Sequence, residues 1–314
     1  MKHAYLTLGI VCCATGLAFA QFKPAHIPEK ATWFAQLDAK ALRESAVAGL
    51  VLQLLDDNAL RQLAGVHAAT GLNLTNDIDT VVLFGKGNPQ ANAVLSLYGR
   101  FDVNRITSIL GMGNEFQNRA IGNRNLLSWL DSGQRNNLCF VDPTHAVLSR
   151  DEAETVEAVK QATSPAATPN ATLAKTLAPV PNRILALQLN NMEDFVAENQ
   201  QLTILKGTDS LILELSVKPG EGDDKGGIDG RIALNVGNLE QATQLHLVLL
   251  GLQAFLTLQA KENPYAAMLA QQVKIDRQDQ LITLRMNLSQ QALKQLVAGE
   301  TAKRQPPVPV PEVN

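Results

Sequence analysis

Two hydrophobic patterns alternate along this chain and predict a mixture of strands and helices. In "TWFAQLD" (32–38) the pattern predicts a strand whose last residue, Asp38, caps a following helix. That helix is expected over "AKALRESAVAGLVLQLLDD" (39–57), where Leu42, Val47 and Leu54 fall near helical spacing. A second helix, "NALRQLAGVHAATG" (58–71), is expected to end at Gly71, because glycine readily adopts the left-handed conformation at helix ends.

The rest of the first half predicts six strands and two helices. The strands are expected in "DTVVLFG", "ANAVLSLYG", "FQNRAIG", "NLLSWLD", "NLCFVD" and "AVLS", with a tight "PTH" turn before the last of them. A helix capped by Asp102 follows the second strand. The final helix is expected to start at Ser149, because Ser149 and Glu152 have the spacing of a capping box.

The second half repeats much of this order. Strands are expected in "RILALQLN", "LTILKG", "DSLILELSVK" and "GRIALNV", and "NMEDFVAENQQ" predicts a helix after the first of them. A helix capped by Asn238 comes next, followed by the hairpin "QVKIDRQDQLITLRMNL" and a helix capped by Ser289.

This similarity of order predicts an internal repeat. Asp102 and Asn238 occupy equivalent places in the two halves, although alternating helices and strands can also recur by chance. Strands joined by tight turns are antiparallel neighbours. We therefore expect an α+β protein of two related units, each a mostly antiparallel sheet with helices packed on one face. The expected divisions are a signal peptide (1–20), an extended leader (21–30), a first unit (31–162), a linker (163–182), a second unit (183–300) and a Pro-rich disordered tail (301–314).

The helix after Asn238 is apolar on nearly all sides between Leu245 and Leu258. This apolar stretch is shorter than a bilayer span requires. It is therefore expected to be a central helix buried between the two halves, or else the wall of an apolar ligand cavity.

The N-terminus predicts export from the cytoplasm. A basic start, an apolar stretch and Ala18-Phe19-Ala20 before Gln21 form the pattern of a cleaved signal peptide, which places the mature protein in the periplasm or outside the cell with no integral membrane segment. Removal of this segment leaves Cys139 as the one cysteine, so no internal disulfide can form.

Composition argues against several classes of function. The formal net charge is −3 and both signs are scattered along the chain, so no basic stripe indicates nucleic-acid binding. Aromatic residues make up 4% of the chain, which leaves little for a carbohydrate-stacking surface.

Candidate chemistry is sparse. Four histidines remain after signal removal: His26 in a mobile leader, His67 and His246 on helices, and His145 in an exposed turn after Asp142. No nucleophile motif accompanies His145, and Cys139 lies in a strand-like run that is typical of a buried thiol. The sequence therefore predicts no catalytic or cofactor-binding residue.

Metal motifs are likewise missing from the sequence, apart from one acidic loop. "PGEGDDKGGIDG" (219–230) carries four carboxylates, of the kind that can bind Ca²⁺, but it lacks the ligand spacing of an EF-hand. We expect a solvated hairpin loop rather than an ion site, and no metal ligand is predicted.

Segments distributed over most of the mature chain carry a resemblance. "ATWFAQLDAKALRES", "IDTVVLFG", "LYGRFDVNRITSIL" and "AVLSRDEAETVEAVK" resemble, in this order, segments of a group of uncharacterised exported bacterial proteins. The resemblance implies a duplicated α+β fold and an envelope location, with no catalytic residues to transfer. The sequence thus favours an exported, non-enzymatic protein that binds a protein partner or an apolar ligand. The alternatives are an architectural envelope component or a hydrolase with a site of scattered acidic residues.

Overall fold

The structure is a computed structural model that describes residues 22–88, 93–178, 180–198, 200–220, 226–259 and 264–304. The expected signal peptide, residues 221–225 of the acidic loop and the tail beyond Arg304 lie outside these residues. Seven strands belong to the first half: β1 (Trp33–Asp38), β2 (Ile78–Gly85), β3 (Ala93–Gly99), β4 (Gln117–Ile121), β5 (Arg124–Asp131), β6 (Gln134–Asp142) and β7 (His145–Ser149). Five belong to the second half: β8 (Arg183–Asn190), β9 (Thr208–Lys218), β10 (Gly227–Val236), β11 (Val273–Gln278) and β12 (Leu281–Ser289).

Helices connect and cover these strands. The described α-helices are α1 (Ala39–Arg43), α2 (Ala48–Gln53), α3 (Asp57–Thr70), α4 (Val103–Leu110), α5 (Glu152–Thr163), α6 (Ala174–Leu177), α7 (Met192–Glu198), α8 (Leu239–Leu258), α9 (Pro264–Gln272) and α10 (Gln290–Arg304). Short 3-10 helices lie at Pro24–His26 and Gln200–Leu205.

All twelve described strands belong to one antiparallel sheet. Their order is β11-β12-β10-β9-β8-β1-β2-β3-β7-β6-β5-β4. The expected α+β class is confirmed, but the expectation of two separate sheets is wrong. Strand β1 pairs with β8, with Leu37 opposite Leu185, so the two halves share one sheet. This pairing joins strands that no tight turn connects, and the local pattern could not indicate it.

One face of the sheet, here called the leader face, is covered by the leader and α5. Phe34, Tyr98 and Val147 of the strands pack there with Ile27 of the leader and Val159 of α5. The leader was expected to be mobile, but Ile27 is fully buried. Burying this side chain removes apolar surface from water, which favours the bound leader.

The expected linker also contributes to the leader face. It contains α6, and its Leu173 and Leu177 are buried against the same core. The Asn170 side chain donates hydrogen bonds to the carbonyls of Pro28 (3.1 Å), Glu29 (2.8 Å) and Ala31 (3.0 Å). Leader and linker therefore hold each other against the sheet.

The opposite face, here called the α8 face, has two apolar cores. In the first half Ile106 of α4 packs with Leu127 and Leu138. In the second half Leu245 of α8 packs with Leu234 and other strand residues. Helices thus cover both faces of the first half, whereas one covered face was expected.

Helix caps show where the local pattern was sufficient. Asp38, Asp102 and Asn238 each accept a hydrogen bond from a backbone N–H in the first turn of the following helix, as expected. The start predicted at Ser149 is wrong, because Asp151 caps α5 instead. Ser149 ends β7, and its hydroxyl donates to the Ala93 carbonyl across the sheet.

Three other element boundaries also differ from the expectation. The helix expected over 39–57 is interrupted, because the Ser45 hydroxyl donates to the Leu42 carbonyl and ends α1. The strand expected at 202–207 overlaps a 3-10 helix, and Gly207, at φ 83°, turns the chain into β9. Helix α10 extends to Arg304, beyond the expected boundary at 300.

Candidate functional site

The second half contains a long apolar helix, α8, directly after β10. The Asn238 side chain accepts a hydrogen bond from the backbone N–H of Gln241 at 2.9 Å, which fixes the start of the helix. Twenty residues follow, and Glu240 and His246 are the two among them with ionisable side chains. Among the described residues α8 is the one helix long and apolar enough to cross a bilayer. Only 11% of its most apolar stretch is buried within the protein.

The packed side of α8 is narrow. Ala242 and Leu245 are buried against Leu234 and Ile282 of the sheet. Farther along, the Gln253 side chain donates hydrogen bonds to the carbonyls of Ala270 (2.7 Å) and Val273 (2.6 Å). These contacts fix the helix against α9 and the edge strand β11.

The remaining side of α8 carries large apolar side chains in contact with solvent. They form the α8 patch: Leu247, Val248, Leu250, Leu252, Phe255 and Leu258, with exposed fractions between 37% and 84%. Soluble proteins commonly expose single apolar residues, whereas a group of neighbouring exposed apolar side chains is unusual on their surfaces. The expectation of a helix buried between two halves is wrong, because the halves share one sheet and α8 lies on its face.

Strand residues extend the apolar character of the α8 face toward the centre of the sheet. Leu185 of β8 lies between Leu37 of β1 and Leu215 of β9, its partners across the sheet. Two residues farther along β8, Leu187 is opposite Leu213 of β9. All five side chains are partly exposed. The central strands therefore leave leucines incompletely covered on the same face that carries α8.

A buried polar cluster lies on the leader face. The Nε2 atom of His145 is 2.7 Å from the Ser96 hydroxyl, and the Ser96 hydroxyl donates to the Tyr98 oxygen at 3.3 Å. The Nδ1 atom of His26 is 2.8 Å from the same Tyr98 oxygen. The three rings stack, with 4.2 Å between the Tyr98 and His145 centroids and 5.5 Å between those of His26 and His145.

Burial controls ionisation in this cluster. It lowers the pKa of His145 to about 3, with a further lowering by His26 and an opposing effect of Asp142. Burial also lowers the pKa of His26, with the positive charge of Lys23 acting in the same direction. The pKa of Tyr98 is raised, again mainly by burial. Both imidazoles are therefore held neutral at neutral pH.

The serine and histidine of this cluster do not form an accessible catalytic group. His145 was expected in an exposed turn, but it begins β7 and is 2% exposed, while Ser96 is 3% exposed. The Asp142 carboxylate accepts hydrogen bonds from the backbone N–H and hydroxyl of Thr144. Hydrolysis by a triad needs an acid that orients the histidine and a hydroxyl that substrate can reach. Here the Asp142 carboxylate is bonded to Thr144, and the Ser96 hydroxyl is buried.

Other expected sites can be located only in part. Cys139 is fully buried in β6, and burial raises the pKa of its thiol to about 11. Of the acidic loop, Glu221, Asp223 and Asp224 lie outside the described residues, and Asp229 accepts a hydrogen bond from the Asn287 side chain. Within the described ranges no group of three or more His, Cys, Asp or Glu side chains is placed to hold a metal ion.

Searches with the sequence matched no family model and no curated protein. A solved structure described as "Structure of crystal form I of TP0453" is similar to 90% of this chain and covers 98% of its own. The identity is 10% and the TM-score is 0.47, a similarity too low to support any inference about function.

Proposed function

We propose that this protein is exported, is not an enzyme, and binds the surface of a lipid membrane in the cell envelope through the α8 patch. The observation that carries the proposal is the exposure of six large apolar side chains on one side of a single helix. A helix that lies in the membrane interface buries such side chains among the acyl chains.

The energy available from the patch suits reversible attachment. Six side chains that are roughly half-exposed correspond to about 6 kcal/mol when fully removed from water, taking about 2 kcal/mol for each complete side chain. This is close to the contribution of one acyl anchor, which gives marginal and reversible membrane binding.

The shape of the patch favours a lipid surface over a second copy of the chain. Leu247 and Leu258 stand near its two ends, and the residues between them lie on one convex helix rather than in a groove. These twelve residues span about 18 Å along the helix. A stable protein–protein interface buries about 800 Å² per partner and involves 20–30 residues on each side, which is more than this patch offers.

A vesicle-binding experiment tests this function. The chain from Gln21 onward, its expected mature form, is mixed with phosphatidylcholine–phosphatidylglycerol vesicles and separated by flotation. Leu252→Glu and Phe255→Glu are expected to reduce bound protein at least tenfold, because each places a charge where acyl chains would lie. Leu60→Glu is the matched control, since Leu60 is 44% exposed on α3, outside the patch.

Two results would contradict the proposal. The wild-type protein could remain with the soluble fraction at every vesicle concentration. Alternatively, it could form a dimer in solution that Phe255→Glu abolishes, which would identify a second copy as the occupant of the patch. Circular dichroism of each variant verifies that the fold is retained.

The duplication expected from the sequence also belongs to this proposal. The strand order β8-β9-β10-β12-β11 in the second half corresponds to β1-β2-β3-β7-β6 in the first. In both halves a helix with a capped start follows the third strand, as α4 does after Asp102 and α8 after Asn238. We propose that two related units joined edge to edge, and that α8 diverged from α4 to acquire the exposed patch.

A further inference from the structure

A groove with a basic floor lies on the leader face of the second half, away from the α8 patch. It has a volume of about 440 Å³ and lies over β9, β10, β12 and β11. Val180, from the end of the linker, lines the groove together with Arg183 and Ser216. This volume is within the usual range for small-molecule sites.

Three basic residues occupy one row across the floor. Arg231 of β10 is directly opposite Arg285 of β12, and Arg285 is directly opposite Lys274 of β11. Because directly opposite side chains in an antiparallel pair lie on the same face and close together, their charges repel. The fold therefore places three like charges side by side, an arrangement that an anion would stabilise.

The acidic neighbours Glu214, Asp276 and Asp229 balance this row only in part, and Asp229, which lines the groove, accepts a hydrogen bond from Asn287. Glu214 accepts from Arg183 at 3.2 Å and from Arg231 at 2.9 Å, so one carboxylate is shared between two guanidinium groups. Arg285 lies 3.4 Å from Asp276 in a pair that is largely exposed. Lys274 has no ion pair among the described residues, and it lines the groove.

We propose that this groove binds a phosphate monoester that carries an apolar group. Guanidinium groups match phosphate oxygens with paired hydrogen bonds, and Lys274 supplies a third positive charge for a dianion. Val180 and the aliphatic stems of the basic side chains provide surface for the apolar part of the ligand. The same chemistry occurs in the headgroup of phosphatidic acid and in a free aryl or alkyl phosphate.

Isothermal titration calorimetry of the chain from Gln21 onward tests the site with three soluble probes: inorganic phosphate, phenyl phosphate and dihexanoyl phosphatidic acid below its micelle concentration. Both organic probes are expected to bind more tightly than inorganic phosphate. Tighter binding of phosphatidic acid supports a lipid headgroup as the ligand, and tighter binding of phenyl phosphate supports a free monoester. The proposal is overturned if neither organic probe binds more tightly than inorganic phosphate.

Variants of the basic row give a second, independent measurement. Lys274→Gln and Arg285→Gln are each expected to weaken binding of the better probe about tenfold, since each removes a charge-assisted hydrogen bond. Arg277→Gln is the matched control: Arg277 is exposed on β11 and pairs with Ile282, on the α8 face. An equal loss of affinity in all three variants would show non-specific electrostatic attraction and would contradict the proposed site.

Thermal unfolding without ligand provides a readout that does not depend on binding. Arg285 is flanked by two positive charges, and its ion pair with Asp276 is too exposed to contribute much stability, so Arg285→Gln is expected to leave the melting temperature unchanged or raise it. A lowered melting temperature would show that the row stabilises the fold without any anion, against the proposal.

Discussion

The imidazole of His145 lies 2.7 Å from the Ser96 hydroxyl, although the two residues are 49 positions apart in the chain. Strands β3 and β7 are paired, with Tyr98 opposite His145 and Ser96 opposite Val147. The leader then covers this part of the sheet and adds His26 to the cluster. The contact is therefore a consequence of non-local strand pairing and of leader docking together.

The first prediction concerns the pH dependence of stability. Burial lowers the pKa of His145 to about 3, whereas an imidazole in the unfolded chain titrates near 6.5. As the pH falls below 6.5 the unfolded chain takes up a proton that the folded chain does not, so the free energy of unfolding decreases. For this imidazole the loss between pH 7.5 and pH 5 is about 2 kcal/mol, and His26 acts in the same direction.

Urea unfolding at the two pH values measures this effect. His145→Phe is expected to be less stable at pH 7.5, because it leaves the Ser96 hydroxyl without this partner. Its stability should nevertheless fall less than that of the wild type between pH 7.5 and pH 5. Equal losses for the variant and the wild type would show that His145 does not contribute to the pH dependence.

Much of the local structure could be predicted because it depends on neighbouring residues. The caps at Asp38 and Asn238 and the left-handed helix end at Gly71 need only short-range hydrogen bonds and backbone preferences. The single sheet could not be predicted in this way, because the pairing of β1 with β8 joins segments about 150 residues apart in sequence.

The two candidate surfaces were missed for different physical reasons. The apolar pattern of α8 reveals no preferred face, so it cannot tell a buried helix from one that exposes Phe255. The basic row was missed because Arg231 and Lys274 belong to separate strands. They are aligned only because both are opposite Arg285 of β12. Alternation along each strand gives the face of a residue, but not its neighbour across the sheet.

The second prediction concerns attachment of the leader. Asn170→Ala removes the amide that binds the carbonyls of Pro28, Glu29 and Ala31, and these buried acceptors would lose this partner. The expected loss of stability is about 2 kcal/mol. Limited trypsin digestion should then cleave after Lys30 faster than in the wild type, as followed by mass spectrometry.

A partly exposed asparagine, Asn136, provides the control for this substitution. The Asn136 side chain has one long bond of 3.5 Å, to the Gln134 carbonyl, so Asn136→Ala should leave the cleavage rate unchanged. A rate for Asn170→Ala equal to that of the wild type would mean that Ile27 and the other apolar contacts hold the leader without the amide.

The third prediction compares two glycines. A Cβ atom at Gly99, the last residue of β3, would collide with the backbone carbonyl of Asp77, whereas a Cβ at Gly49 in α2 would meet nothing within 4 Å. Gly99→Ala is therefore expected to destabilise the protein by about 3 kcal/mol through forced backbone displacement. Gly49→Ala should stabilise it by about 0.5 kcal/mol, because alanine restricts the unfolded chain. Denaturant unfolding of both variants tests the difference. An equal effect at the two sites would contradict the close approach of the Asp77 carbonyl to Gly99.

The last prediction concerns the thiol of Cys139. The reactive species is the thiolate, and burial raises the pKa of this thiol to about 11, although the charge of Arg124 opposes that effect. Iodoacetamide at pH 8 should therefore leave the folded chain from Gln21 onward unlabelled and alkylate it fully in guanidinium chloride, as measured by intact mass. If the folded protein were labelled as rapidly as the denatured one, Cys139 would have to be accessible, and the core on the leader face would have to open readily at β6. Slow labelling at the rate of global unfolding would instead confirm that this thiol belongs to the most stable part of the sheet.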